Sequence, residues 1–373
     1  MMYQYRILAY AVFFFIEAIL YLLPGWMPST VPFGVRIPPE FAGDPVLVRL
    51  RHRYRQWVVV LALVMGLLLV LATRFLPSPG GTMLLSSFLP LLWLIVGYAV
   101  YYATRRQLLA IKTKQGWYEG QRTAAVAEIP EGAEADRSRA RSQWLWILPM
   151  IAISAVTLFL ALWRYPHLPA VLPIHFGPNG QPDAYARKSV AVALIPFFTQ
   201  LGLLFVIGLS MVFTNRMHTP LNPAFPRTSS VQQRVFRSRI VIALGLMGIA
   251  TALSLLTAEL LELRVLPPQI TAWGIGLFPV LGLAGVIVIT ARTGQLGSRV
   301  RVEAAEQPTG FVARDDDRFW KGGVFYYNPE DPAFWVPKRF GVGWTLNFAH
   351  PGSWVMIGVV LLAVVSPLAT HLF

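Results

Sequence analysis

The residues best suited to chemistry lie in the connector between the fourth and fifth apolar blocks of the chain, residues 165–189. His167, His175 and Asp183 are candidates there, because imidazole and carboxylate groups bind zinc and transfer protons. No His-x-x-x-His spacing accompanies them, and no nucleophile or oxyanion donor is identifiable beside His175 and Asp183. Three interpretations stay open: hydrogen bonds that pin a turn, a metal or acid–base site, and direct contact with a ligand.

This connector is stiffened by five prolines, because proline fixes φ. Residues 172–176 are expected to be extended, and the turn Gly177-Pro178-Asn179-Gly180 follows them, with Gly180 free to adopt positive φ. We therefore predict a rigid lid over residues 165–189. Its candidate ligand-binding residues are His175, Gly177, Gly180, Asp183 and Lys188.

Acidic residues inside the apolar blocks form a second group of candidates. Glu17 lies deep in the first block, where a carboxylate is costly unless it faces other helices. It is interpreted as a protonatable or ligand-binding group, or as a structural acceptor. The polar residues available to bond it are Thr199, Gln200, Thr251 and Ser254. Glu259 and Glu262 lie near the end of the sixth block, where ion pairing with Arg164 or Arg264 is expected.

Several function classes lose their usual support. The chain has no cysteine, which excludes disulfides, cysteine-based zinc sites and thiol nucleophiles. It also has no phosphate-binding Gly-x-x-x-x-Gly-Lys-[Ser/Thr] loop, no His-Glu-x-x-His and no Gly-x-Ser-x-Gly motif. The sequence therefore assigns no catalytic residue, no metal and no cofactor.

Eight apolar blocks define the fold class. The blocks are residues 7–23, 57–76, 83–103, 144–165, 189–213, 240–263, 270–291 and 353–372. Only 13% of the residues are charged, whereas a soluble domain carries about 25%. A membrane-spanning helix needs roughly 20 apolar residues, and lipid offers no partners to backbone polar groups. We predict an all-α integral membrane protein with about eight transmembrane helices.

Positive charge alternates between the connectors. Those before residues 57, 144, 240 and 353 contain 26 of the 32 lysines and arginines. The positive-inside rule places these connectors in the cytoplasm, and both termini and the lid outside. The net charge of +14 is thus explained by topology, and nucleic acid is not predicted as a partner.

The longest connector, residues 292–352, is rich in aromatic and basic residues. Residues 307–310 have the composition of a linker, residues 324–327 favour a short strand, and residues 328–332 favour a turn. The mixture predicts a position at the lipid headgroups, the alternative being a small, independently packed subdomain. Similar basic turns at residues 32–38, 226–230 and 337–343 reflect a duplicated unit or the positive-inside rule acting repeatedly.

The lid carries the spacing Leu172-Pro173-x-His175-Phe176, then Gly180-x-Pro182-Asp183 and Arg187-Lys188-Ser189. This pattern resembles the signature of a bacterial membrane family related to SdpI. The resemblance implies a role in immunity to a secreted peptide toxin, or in its signalling. A second, uncharacterised domain found beside it in some members resembles residues 317–323, 326–329, 337–341, 343–345 and 347–348.

The sequence thus predicts three regions in a multi-pass protein of the bacterial cell membrane. They are residues 1–143, residues 144–291 with the lid, and residues 292–373. The favoured function is non-enzymatic binding of a peptide or amphiphile at the lid, for resistance or signalling. The alternatives are a proton-coupled transporter using Glu17 and a membrane enzyme using His175 and Asp183. Candidate partners are the lipid bilayer, a peptide toxin or other amphiphile, and a membrane or cytoplasmic signalling protein.

Overall fold

The computed structural model describes residues 2–75, 79–126, 133–176, 182–217, 219–302 and 306–369. Helices dominate this part of the chain. They are α1 (Met2–Leu22), α2 (Pro45–Phe75), α3 (Pro79–Lys114), α4 (Ala133–Arg164), α5 (Val190–Ala193), α6 (Ile195–Arg216), α7 (Pro226–Glu262), α8 (Pro268–Thr293) and α9 (Pro351–Ala369). The predicted apolar blocks fall on these helices.

Five segments among the described residues are long and apolar enough to cross a membrane. They are Pro45–Ala72, Leu145–His167, Ile195–Arg216, Pro226–Glu262 and Gly274–Gly297. The predicted helical membrane protein is confirmed at this level. The number of eight crossings and their orientation stay predictions.

Proline sets the start of many helices, because its fixed φ suits the first helical turn and its missing N–H is not needed there. Five helices begin at a proline: α2, α3, α7, α8 and α9. The block at residues 189–213 forms two helices instead of the predicted one. Ser189 caps α5 by accepting a hydrogen bond from the Val192 amide, and the chain turns at Leu194 before Pro196 opens α6.

The helices pack in two groups. Helices α1, α2 and α3 contact one another around a core that includes the fully buried side chains of Tyr54, Trp93 and Tyr101. Helices α4, α6 and α8 surround α7, with Met150 and Met211 buried between α4, α6 and α7.

Helix α7 lies close to its neighbours because small residues face them. A Cβ added at Gly248 would lie 2.7 Å from the Met150 sulfur, and one at Gly282 of α8 would lie 2.7 Å from the Ala250 Cβ. Small residues at such contacts allow helices in lipid to approach and gain van der Waals packing.

Helix α7 also connects two ends of the molecule. Its 37 residues span about 55 Å. Four basic connectors meet near its first residues: Gln295 N donates to Trp26 O (2.7 Å), Leu221 N to Val126 O (2.9 Å) and Thr309 N to Ala224 O (3.1 Å). We call this end the connector side. The opposite end, where α7 meets residues 168–193, is the hairpin side.

The connector between α8 and α9 contains five short strands in its described part. They are β4 (Val312–Ala313), β5 (Trp320–Lys321), β6 (Phe325–Tyr326), β7 (Trp335–Pro337) and β8 (Trp344–Leu346); β1 (Thr123–Ala124) pairs in parallel with β4. Strands β5 and β6 form one hairpin, and β7 and β8 another. Trp320, Tyr326 and Val336 form a small core. The predicted strand at residues 324–327 is confirmed for Phe325–Tyr326. The predicted turn is also confirmed, and in it Asn328 Oδ1 accepts from Glu330 N.

Asn347 connects the parts of this insert. Its side chain is fully buried; Nδ2 donates to Asn328 O (2.8 Å) and Asp331 O (3.1 Å), and Oδ1 accepts from Asn328 N and Ala349 N. Its backbone oxygen accepts from Ser353 Oγ in the first turn of α9. The insert is therefore packed around a small core of its own, although its aspartates also bond Arg36 and Lys112 outside it. Its position at the lipid headgroups stays a prediction.

Replacing Asn347 by alanine should unfold the insert locally. Each buried backbone group left without a partner costs about 1–3 kcal/mol. We expect faster amide hydrogen exchange throughout residues 320–348 in the purified protein, measured by mass spectrometry. Gln307→Ala, at an exposed polar site of the same connector, is the control and should leave exchange unchanged. Equal exchange in Asn347→Ala and the parent protein would contradict the central role of this amide.

Candidate functional site

The predicted lid is a β-hairpin of β2 (Val171–Phe176) and β3 (Pro182–Arg187). The expected extended segment 172–176 is confirmed. His175 is in register with Ala184 and Phe176 with Pro182, so the backbones of His175 and Asp183 lie near each other across a bulge. For these two residues the description extends to the backbone alone, and Gly177 and Gly180 lie outside the described residues.

Lys188 closes the base of the hairpin. Its Nζ donates to Leu168 O (2.9 Å) and Pro166 O (3.3 Å) and lies 4.8 Å from the centre of the Tyr165 ring. Its backbone N donates to Ala170 O (2.8 Å). The ammonium group is therefore occupied by structural contacts, which hold the two ends of the connector together.

The underside of the hairpin is packed against the helices. Leu172 is fully buried and clusters with Leu168, with Ala193 of α5 and with Leu263, the residue after α7. This apolar contact fixes the hairpin to the end of α7 and gives the predicted rigidity a physical cause in addition to the prolines.

Three apolar side chains of the hairpin are exposed. Val171, Ile174 and Tyr185 have 49%, 45% and 60% of their surface accessible. Arg187, also exposed, pairs in register with Val171. Within the described residues the sheet has two strands only, so both outer edges offer unpaired backbone groups. Such an edge can add an extended peptide as a further strand.

Glu259 lies near the hairpin end of α7 and is fully buried. Neither of its carboxylate oxygens has a hydrogen-bond partner in the described part of the chain, and Oε1 of the adjacent Glu262 is also unpartnered. The expected ion pair of Glu259 with Arg164 or Arg264 is therefore wrong. Arg264 lies beyond the helix in a left-handed turn (φ 54°) and is exposed.

Glu17 also has an unpartnered buried oxygen, Oε2. The polar residues expected to bond it bond elsewhere, because they belong to α6 and α7 while α1 packs against α2 and α3. Gln200 donates to Ala252 O and Ser254 to Ile275 O; Thr199 and Thr251 donate to carbonyls of their own helices.

On the connector side, three consecutive aspartates bind three cations. We call this set the aspartate cluster: Asp315, Asp316 and Asp317 with Arg36, Lys112 and Arg339. Lys112 Nζ lies 2.7 Å from both Asp315 Oδ2 and Asp317 Oδ2, and Arg36 Nε lies 2.6 Å from Asp316 Oδ1. The guanidinium of Arg339 bonds both Asp316 and Asp317.

The cluster is partly removed from solvent, which strengthens its electrostatics. Burial opposes ionisation of Asp316, but the charges of Arg36 and Arg339 outweigh it and lower its pKa to about 2. Because this value lies below the ordinary 3.8, the ion pairs stabilise the fold above that pH, and the contribution is lost as the pH falls towards 2. For Asp317, burial is likewise outweighed by Arg339 and Lys112, and the pKa is lowered.

Arg105 and aromatic rings cover the cluster. Arg105 donates to the carbonyls of Phe33 and Gly34, and Arg339 also donates to Gly34 O (3.1 Å). Tyr101 lies with its ring centre 3.8 Å from that of Phe340. Two of the repeated basic turns, residues 32–38 and 337–343, thus meet here, whereas in the third Arg227 N and Thr228 N donate to Glu306.

Sequence reasoning did not single out this cluster. The run Asp315-Asp316-Asp317 was a usable signal, since it is an acidic run in a strongly basic connector. Two of its partners are far away along the chain, Lys112 by 205 positions from Asp317 and Arg36 by 281, and spacing could not identify them. The third, Arg339, lies 22 positions after Asp317.

Breaking the cluster should destabilise the protein. Removing one partner of a buried ion pair costs about 3–5 kcal/mol, so Arg339→Met and Asp317→Asn should each lower the unfolding temperature in detergent. The double variant should lose less stability than the sum of the two single losses, because Arg339 and Asp317 contact each other. Arg314→Gln, at an exposed site beside the aspartates, is the control. Additive losses would show that the pair is not coupled.

Two family models match parts of the chain. Residues 152–199, from α4 through the hairpin into α6, match a domain of unknown function (DUF1648). Residues 329–354, from the turn after β6 to the first turn of α9, match a family of unknown function (DUF5808). No curated protein and no solved structure matches the chain. The lid and the aromatic insert are therefore similar to two known domains, neither of whose descriptions names SdpI or an activity.

Proposed function

We propose that this chain is a multi-pass protein of the cell membrane that binds an amphipathic peptide or amphiphile on its hairpin. In this proposal the hairpin and both termini lie outside, the basic connectors lie in the cytoplasm, and binding serves resistance or signalling and not catalysis. The observation that carries it is a hairpin that is anchored and yet exposed. Leu172 anchors it to α7, while Val171, Ile174 and Tyr185 keep about half of their surface accessible.

The chemistry of the exposed hairpin residues indicates the class of ligand. Apolar side chains next to Arg187 favour a molecule that combines an apolar face with neutral or acidic groups. The open edges of β2 and β3 favour an extended peptide segment, whose backbone can pair with a strand. An anchored hairpin pays little ordering entropy on binding, which supports affinity.

A second candidate is proton-coupled transport. It is favoured by the unpartnered oxygens of Glu17 and Glu259, because unpaired carboxylates inside a helical bundle typically mark ion or proton pathways. Glu17→Gln and Glu259→Gln in proteoliposomes distinguish the two functions. Proton-driven flux in the parent protein that either change abolishes would favour the transporter.

Substitutions of the exposed apolar residues of the hairpin should weaken binding. We expect Ile174→Asp combined with Tyr185→Ser to reduce affinity by about tenfold or more, as the loss of about 1.4 kcal/mol of apolar contact implies. The probe is a fluorescent 18-residue amphipathic peptide with an acidic polar face, measured by anisotropy against the protein in phosphatidylcholine nanodiscs. A scrambled peptide of the same composition tests the need for amphipathicity.

Val265→Asp is the matched control for this measurement. Val265 lies on the same side of the molecule and is 44% exposed, but it belongs to the turn after α7. It should leave affinity unchanged. If the hairpin variant binds as the parent protein does, or if the control loses as much, the hairpin is not the binding surface.

The orientation can be tested directly, because the chain has no cysteine to interfere. Tyr185→Cys on the hairpin should react with a membrane-impermeant maleimide in intact cells. Lys321→Cys, at an exposed site of the insert, should react only after lysis. The reverse pattern would place the hairpin in the cytoplasm and remove the basis for an external ligand.

A further inference from the structure

A groove between α2 and α3 carries a second inference, independent of the hairpin. It has a volume of about 300 Å³ and is lined by residues of both helices. Leu50, Arg53 and Trp57 of α2 line one wall, and Ala99, Ala103 and Gln107 of α3 line the other. The space exists because alanines of α3 face the larger side chains of α2.

The groove lies at the boundary between the basic and the apolar part of both helices. Arg53 belongs to the basic stretch of α2, residues 49–55, which precedes the apolar block that begins at residue 57. Gln107 follows Arg105 and Arg106, just after the apolar block of α3 that ends at residue 103. In a membrane-crossing helix such a boundary coincides with the lipid headgroups, where tryptophan is enriched. The polar end of the groove is therefore at headgroup depth and the apolar end faces acyl chains.

The polar end is free to bind an anion. Within the described part of the chain, the side chain of Arg53 has neither a hydrogen-bond nor an ion-pair partner. The side chain of Gln107 has no hydrogen-bond partner there either. Arg49 and Arg106 are exposed nearby and add to the positive potential. An arginine guanidinium binds phosphate oxygens through two parallel hydrogen bonds.

The apolar end continues into a track for acyl chains. Trp57, Val60 and Val64 follow one another along α2 at helical spacing, and each has about half of its surface exposed. A groove of this volume fits a headgroup and the first carbons of a lipid, since pockets for whole ligands begin at about this size.

We propose that this groove binds one anionic phospholipid from the leaflet on the connector side. Arg53 and Gln107 hold its phosphate, and its acyl chains lie along Trp57 and Val60. The proposal rests on the coincidence of a formed cavity, an unpaired cation and an apolar track at one depth. Basic pockets between helices on the cytoplasmic side commonly bind such headgroups.

The test is native mass spectrometry of the purified full-length protein titrated with phosphatidylglycerol or phosphatidylcholine. We expect one phosphatidylglycerol to bind at least about tenfold more tightly than phosphatidylcholine. Arg53→Gln should remove about tenfold of that affinity, since one charge-assisted contact is lost. Ala103→Trp, which fills the cavity and keeps every charge, should reduce it as well.

Arg49→Gln is the matched control, because Arg49 is an exposed arginine one turn from Arg53 that does not line the groove. It should change the affinity less than twofold. Equal losses for Arg49→Gln and Arg53→Gln would show general attraction to a basic surface and overturn the site. No effect of Ala103→Trp, equal binding of the two lipids, or full displacement of the lipid by soluble glycerol phosphate at similar concentration would also overturn it.

Discussion

The organisation of the connector side depends on the pairing of Asp315, Asp316 and Asp317 with cations from two other segments and from the insert itself. Half-buried carboxylates are stable only when opposite charges and hydrogen bonds replace water. Arg36 comes from the connector before α2, Lys112 from the end of α3 and Arg339 from the turn between β7 and β8. Segments hundreds of residues apart are thereby fixed in one arrangement.

The helices could be predicted from the sequence because the constraint that lipid imposes is local: each apolar segment must satisfy its own backbone hydrogen bonds. A run of about 20 apolar residues has no other low-energy conformation in a bilayer, so hydropathy alone located α1–α4 and α6–α9. The hairpin was also predictable, since prolines and a glycine turn act locally. The break at Leu194 within a single apolar block was not, because hydropathy does not report backbone direction.

The tertiary contacts of charged groups could not be predicted in this way. The expected partners of Glu259 were Arg164 and Arg264, which lie at the same end of their apolar blocks, but the left-handed turn at Arg264 leaves that side chain exposed. In the sequence, Asn347 stood out only as part of a stretch that resembles a known domain. In the structure, its side-chain amide connects the parts of the insert. Such contacts depend on how distant segments meet, and one sequence carries little information about that.

Helix α7 has no proline after its first residue and runs without interruption for 37 residues. Its first turn donates to Glu306 and the residue after its last turn packs beneath Leu172. An α-helix resists compression along its axis, so α7 connects the hairpin and the basic connectors rigidly in that direction. We therefore expect a displacement of the hairpin along the α7 axis to move the segments that meet at the connector side.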